Sequence, residues 1–189
     1  MDANEILRFW FGEPGSPEHG RPRDLWFTKS DATDQLIAER FSGVVERALR
    51  GEHDDWAATP RGALALILAL DQFTRNIFRG TPRAFAGDTR ALALATRLVD
   101  TARDLTLARV ERWFVYMPFE HSERLLDQYE AVRLFERLAA AGLDSPLDWA
   151  RRHFDVVKKF GRFPHRNAIL GRASTPAEIE FLKQPGSGF

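Results

Sequence analysis

Apolar residues recur at helical spacing along almost the whole chain, and no stretch sustains the alternation of a half-buried strand. Ser/Thr-Pro pairs punctuate the pattern at Thr59-Pro60, Thr81-Pro82, Ser145-Pro146 and Thr175-Pro176. In such pairs the hydroxyl caps a helix and the proline pre-sets its first turn. Glu178, three residues after Thr175, completes a capping box. Gly51, Gly80, Gly142, Gly161 and Gly171 mark the ends. These signals predict helices near 3–11, 31–50, 60–79, 83–102, 106–117, 118–141, 146–160 and 176–183, with shorter turns near 23–28 and 164–170. The expected fold is all-α, an irregular array of antiparallel helix pairs forming a tetratricopeptide-like α-α superhelix. The run Tyr129 to Leu138 has tetratricopeptide spacing, although no repeat period is defined elsewhere.

A length of 189 residues suits one all-helical domain spanning 1–189. Residues 1–30 supply an N-terminal helix and a Gly/Pro-rich loop, and residues 184–189 are expected to fray. The longest apolar run, Ala63 to Leu70, falls well short of the roughly 20 residues of a membrane span. The acidic opening Met1-Asp2-Ala3-Asn4-Glu5 does not read as a targeting peptide, so a cytoplasmic setting is expected. The chain has no cysteine, which removes disulfides, thiol nucleophiles and thiolate metal sites.

Lys+Arg and Asp+Glu both total 27, a balance that argues against a dedicated nucleic-acid or membrane-surface binder. The zero is a sum of unlike parts. Residues 1–60 hold twelve acidic and seven basic groups, whereas 151–172 holds seven basic groups and one acidic. Of the basic residues 23 are arginine, whose planar fork suits paired recognition of carboxylate or phosphate.

Three polar clusters interrupt apolar helices. Asp71 and Arg75, four apart, share a stripe with Leu64 and Leu68, and Asn76 follows them. They form either an internal ion pair or one wall of a polar pocket. Pro118 is read as opening a helix that carries Glu120, His121 and Glu123 in its first turns. His121 then lies on one stripe with Leu125 and Gln128, as a packing histidine, an acid–base group or a ligand. The third cluster holds Arg162, His165, Arg166 and Asn167 around Pro164. It is either an anion site or a solvated basic face that complements the acidic N-terminal helices.

Nucleotide-binding glycine motifs, a Gly-x-Ser-x-Gly elbow, a Glu-x-x-His di-iron set and a His-Glu-x-x-His zinc helix are all missing from the sequence. No cofactor or metal is therefore expected.

The ordered segments Phe9-Trp10-Phe11-Gly12, Trp26-Phe27, Leu70-Asp71-Gln72-Phe73 with Arg75-Asn76, Pro118-Phe119-Glu120-His121-Ser122-Glu123, and Gly161 to Asn167 through Leu170-Gly171-Arg172 resemble bacterial domain-of-unknown-function family 924. The resemblance spans about residues 6–183 and implies an all-helical, tetratricopeptide-like fold with no activity to transfer. Thr74 and Arg124 depart from the family pattern, which often has proline and an acid there, so Arg124 is given no role.

The leading expectation is a pocket for a small anionic ligand or a peptide carboxylate, lined by Asp71, Arg75, Asn76, His121, Arg162, His165, Arg166 and Asn167. Asp71 would orient Arg75, and Arg162 with Arg166 would pair the anion. Two alternatives stand beside it. One is a protein-interaction scaffold with a protein partner. The other is an acid–base enzyme with His121, Glu123 and Asp71 as candidate catalytic groups.

Overall fold

The computed structural model describes residues 2–188, and within them every regular element is helical. Met1 and Phe189, the ends of the expected domain and tail, lie outside the described residues. The principal helices are α1 (Ala3–Phe11), α2 (Asp31–Arg50), α3 (Pro60–Ile67), α4 (Thr74–Ile77), α5 (Asp88–Asp100), α6 (Arg109–His121), α7 (Leu125–Ala140), α8 (Leu147–Phe160) and α9 (Pro176–Leu182). A π-helical turn, Leu68–Phe73, joins α3 to α4, and a short 3-10 turn, Pro164–Arg166, follows α8.

Local chemistry sets most boundaries. The side chains of Asp2, Ser30, Thr59 and Thr175 accept hydrogen bonds from first-turn amides of α1, α2, α3 and α9. The Thr175–Glu178 capping box is closed from both sides. Gly51 and Gly161 end α2 and α8 in the left-handed conformation, at φ 86° and 70°.

The residues apolar on every side make α3 the centre of the molecule. Ala63 to Leu70 are all buried, and α3 packs against α1, α5 and α6. An aromatic wall closes over one end of this core. Trp10 meets Trp26, Phe73 and Phe114, and Trp26 donates its indole N–H to Trp10 O at 2.8 Å. Successive helices α5, α6, α7 and α8 pack one on the next. A smaller cluster of Val156, Val157 and Phe163 lies under Phe160 and Phe181, where α9 docks. In the tail, Ser187 is buried and its hydroxyl donates to Leu182 O.

Three expected boundaries are corrected. Pro118 does not open a helix; it lies inside α6, which continues to His121. The break falls at Ser122, whose backbone turns extended and whose hydroxyl is tied to Asp127 Oδ2 at 2.6 Å. His121 therefore belongs to α6 while Leu125 and Gln128 belong to α7, and the single stripe expected for them does not exist. Gln128 instead crosses the break, with Nε2 donating to Glu120 O and Ser122 O at 2.7 and 2.6 Å. It thus satisfies carbonyls at the end of α6.

The helix expected over 83–102 is divided into a 3-10 turn, Pro82–Phe85, and α5 from Asp88. Gly87 between them presses against the π-helical turn so closely that a Cβ there would lie 2.1 Å from Leu70 O. The segment expected as one helix over 60–79 is interrupted by that same turn. A π turn adds a residue and so advances the following side chains by about 100° relative to an unbroken helix.

Candidate functional site

Asp71 lies in the π-helical turn and is 1% exposed. Its carboxylate receives Gln72 Nε2 at 2.6 Å and Arg75 at 3.2 Å. From α6, His121 Nδ1 stands 2.7 Å from Asp71 Oδ1. Burial acts against the charge on Asp71, but Arg75 and then His121 outweigh it and hold the carboxyl well below its ordinary range. An ionised carboxylate can only accept, so Nδ1 carries the histidine proton and Nε2 keeps its lone pair. Burial, with Arg75, overcomes Asp71 and moves His121 below its usual value, so the ring is neutral near pH 7.

Arg75 extends the network. It donates to Asp71 O at 2.7 Å and takes Asp88 as a fork, at 2.7 and 3.0 Å. Asp88 is the first residue of α5, where a helix N-terminus favours an acid. Its Oδ2 lies 3.7 Å from Arg166 NH1, beyond hydrogen-bond length. Arg166 stands between two rings, its guanidinium carbon 4.8 Å from the centre of Phe85 and 4.5 Å from that of Phe163.

The contacts return to His121 through α8. Phe163 meets the His153 ring edge-on, and the His153 and His121 rings are 6.2 Å apart. His153 Nδ1 faces two acceptors, Trp149 O at 2.8 Å and Glu120 at 2.9 Å, so it too carries the proton. His165 lies against Phe163 and is pushed down to about 4, by burial first and then by Arg166 and His153.

Two groups in this closed ring remain open. Among the described residues no hydrogen bond reaches the guanidinium of Arg166, although its side chain is only 8% exposed and Nε is buried. Burial, then Arg75, brings Arg166 down to about 10, so it stays charged at neutral pH. The second is His121 Nε2, which makes no hydrogen bond among the described residues and, in a ring 12% exposed, keeps contact with solvent.

Of the residues singled out in sequence, Asp71, Arg75, His121, His165 and Arg166 come together. Three ligand candidates are committed elsewhere. Arg162 makes a fork to Glu178, at 2.6 and 2.8 Å, and so ties the 3-10 turn to α9. Asn167 bonds Ser174 and Arg172. Asn76, about 100° round α4 from Arg75, donates to Asp34 of α2 at 2.7 Å. Glu123 does not bond His121. It accepts from Phe163 N at 2.8 Å and from Arg172 at 2.7 and 2.9 Å, and so clamps the backbone that presents Arg166.

The basic stretch does not complement the acidic N-terminal helices. Its partners are Glu136, Glu178, Glu123 and Asp88, while Asp34, Glu46 and Asp54 pair with Arg79, Arg83 and Arg90. Sequence reasoning missed Asp88, Phe85, His153 and the partnering role of Glu120. Glu120 had a visible signal, because it adjoins His121 in an apolar helix.

Among the described residues no three His, Asp or Glu side chains form a set that could hold a metal ion, and no helix is long and apolar enough to cross a membrane. Two surface depressions lie away from the ring. One, of about 430 Å³, runs between α7 and α8 over Tyr129, Val132, Phe154 and Arg151. The other is lined by Glu5, Arg8, Phe9, Glu18, Arg23 and Arg40.

The fold and this site define an all-helical protein with an internal arginine–carboxylate–histidine ring. The chain belongs to the DUF924 family, bacterial proteins of unknown function, whose model matches residues 6–186. It is similar to a solved structure, that of ATU0120 from Agrobacterium tumefaciens, a protein of unknown function. The two are 39% identical, with a TM-score of 0.83 and 96% of each chain covered. No match was found among curated proteins.

Proposed function

We propose that this protein binds a small oxyanion, a carboxylate or phosphate group, between the fork of Arg166 and Nε2 of His121. The observation that carries the reading is Arg166 itself. A desolvated guanidinium without a hydrogen bond is unfavourable by several kcal/mol unless something answers it. Two aromatic faces and the Asp88 carboxylate at 3.7 Å answer part of the charge, and the in-plane donors make no hydrogen bond among the described residues. Those donors match a two-oxygen acceptor. Asp71 orients His121, Arg75 holds Asp88 in place, and the Glu123–Arg172 clamp fixes the turn that carries Arg166.

Titration with acetate and inorganic phosphate, followed by calorimetry or protein NMR, tests this. Saturable binding is expected in the native chain and a loss of about tenfold or more in Arg166→Gln, the value of one charged hydrogen bond. Arg162→Ala, which removes the ties to Glu178 and to Ala173 O and touches no group of the ring, should keep the affinity. Absence of saturable binding by either anion would refute the reading, as would equal loss in both variants.

A second reading, a protein-interaction scaffold, is favoured by the α7–α8 depression. Tyr129 is exposed beside Phe154 there, with Leu126 and Trp149 exposed on the same two helices. Tyr129→Ala should then weaken partner capture without changing anion affinity.

A further inference from the structure

We propose that residues 161–182 form a strap that opens from the helical body as one unit, and that the anion reaches Arg166 through this opening. The strap stands on the packing alone, whereas the route deepens the oxyanion reading above and rests on it.

A bound anion needs the in-plane donors of Arg166, and the closed structure shields them. Nε is buried, the side chain is 8% exposed, and the guanidinium lies between Phe85 of the body and Phe163. Neither surface depression includes Arg166. The way in is then a movement of one wall, and Phe163 and Arg166 both lie on the short segment that follows α8.

That segment is braced within itself. Arg162 forks to Glu178 and donates to Ala173 O. Asn167 donates to Ser174 Oγ and accepts from Arg172 Nε, each at 3.0 Å. These bonds join the 3-10 turn, the loop after it and α9, so the parts detach together. The footing on the body is smaller. Among the described residues no apolar side chain after Gly161 belongs to the main core. Phe163 and Phe181 rest instead on Val156, Val157 and Phe160 at the end of α8, while Leu170, Ile179 and Leu182 stay exposed. Glu123, a partly exposed carboxylate between α6 and α7, takes Phe163 N and both arms of Arg172. Such a footing holds less than the continuous core around α3, and the units of a fold with the least buried apolar surface open first. Gly161 supplies the turning point. Its φ of 70° is left-handed, and a Cβ there would meet nothing within 4 Å, so the chain has open space in which to turn.

Hydrogen exchange of the intact chain, read amide by amide by NMR, tests the strap. Phe163 N–H loses its acceptor when the segment parts from Glu123. Helix α9, seven residues long, cannot hold its own turns once detached. The amides of Phe163 and Ile179 should therefore exchange through one shared opening, at least about 100-fold more populated than the one that exposes Leu66 of α3 and Phe114 of α6. Phe181→Ala removes the ring that rests on Phe160, 5.0 Å between centres, and should raise the strap opening about tenfold. Glu123→Gln, which weakens the Arg172 tie, should raise it likewise.

The route is read from the rates of acetate association and dissociation, or those of inorganic phosphate where it binds more tightly, by NMR line shape. In Phe181→Ala both rates should rise by the same factor as the opening, at unchanged affinity. Phe163 and Ile179 amides as protected as those of α3 and α6, or opening separately from each other, overturn the strap and leave the oxyanion reading standing. Anion rates that stay still while Phe181→Ala raises the opening overturn the route. Failure of both anions to bind removes the oxyanion reading and the route together, and the exchange still decides the strap.

Discussion

Gly87→Ala is expected to destabilise the protein by about 3 kcal/mol or more, the upper range for overpacking a tight contact. A Cβ there would lie 2.1 Å from Leu70 O and 2.8 Å from its Cα and carbonyl carbon, all of them backbone atoms that no rotamer change can move. The conformation of Gly87 is ordinary, at φ −92°, so the effect is steric. Relief requires α5 to retreat from the π-helical turn, taking Asp88 away from Arg75. For a chain of this size the midpoint of thermal unfolding should fall by roughly 6–12 °C. Gly43→Ala is the matched control. It lies in α2, and its nearest neighbour is the far end of the Arg47 side chain at 3.7 Å. Alanine there should stabilise by about 0.5–1 kcal/mol. Equal midpoints for the two variants would contradict the packing described.

Asp71→Asn should be nearly as damaging. The carboxylate is buried and answers both Arg75 and His121, and removing one partner of a buried pair costs about 3–5 kcal/mol. The lower end, about 3 kcal/mol, is expected because Asp88 still holds Arg75 as a fork. The pH dependence has a definite sign. Asp71 is held below its unfolded value, so its contribution is complete above an unfolded pKa of about 3.9 and is lost as pH falls through the folded value. Denaturant midpoints of native and variant chains should therefore differ most above about pH 5 and converge below about pH 4. A gap that persists unchanged into acid would mean that the charge on Asp71 is not what stabilises the site.

The fold was legible from the sequence because each signal acts over a few residues. The capping side chains of Asp2, Ser30, Thr59 and Thr175 and the wholly apolar run from Ala63 act locally and need no tertiary knowledge. Pro118 misled because proline favours a first turn, yet here tertiary packing keeps it inside α6. The π turn had no signal at all. Asn76 parts from Arg75 because neighbouring residues of α4 point about 100° apart, which turns Asn76 toward Asp34 of α2.

The site was legible by residue type and not by partner. Asp71, Arg75, His121 and Arg166 stand out as charges in apolar surroundings, which one sequence can reveal. That Arg162 would be taken by Glu178, and Glu123 by Arg172, depends on where α9 and the loop after Asn167 return. Asp88 was hidden because an acid at a helix N-terminus needs no further explanation. The spacing of Phe85 and Phe163 was that of ordinary core residues.

Anion binding as proposed requires that an in-plane face of Arg166 be open to a ligand. The most direct measurement is the Nε–H resonance of Arg166, assigned by its loss in Arg166→Lys and followed by NMR as acetate is added. The nitrogen is buried and has no acceptor among the described residues; its shielding from solvent should make its proton slow to exchange and visible. A saturable shift of this resonance is expected, with the same midpoint as the calorimetric titration. An Arg166 signal that stays still while acetate saturates the protein would place the anion elsewhere and contradict the account.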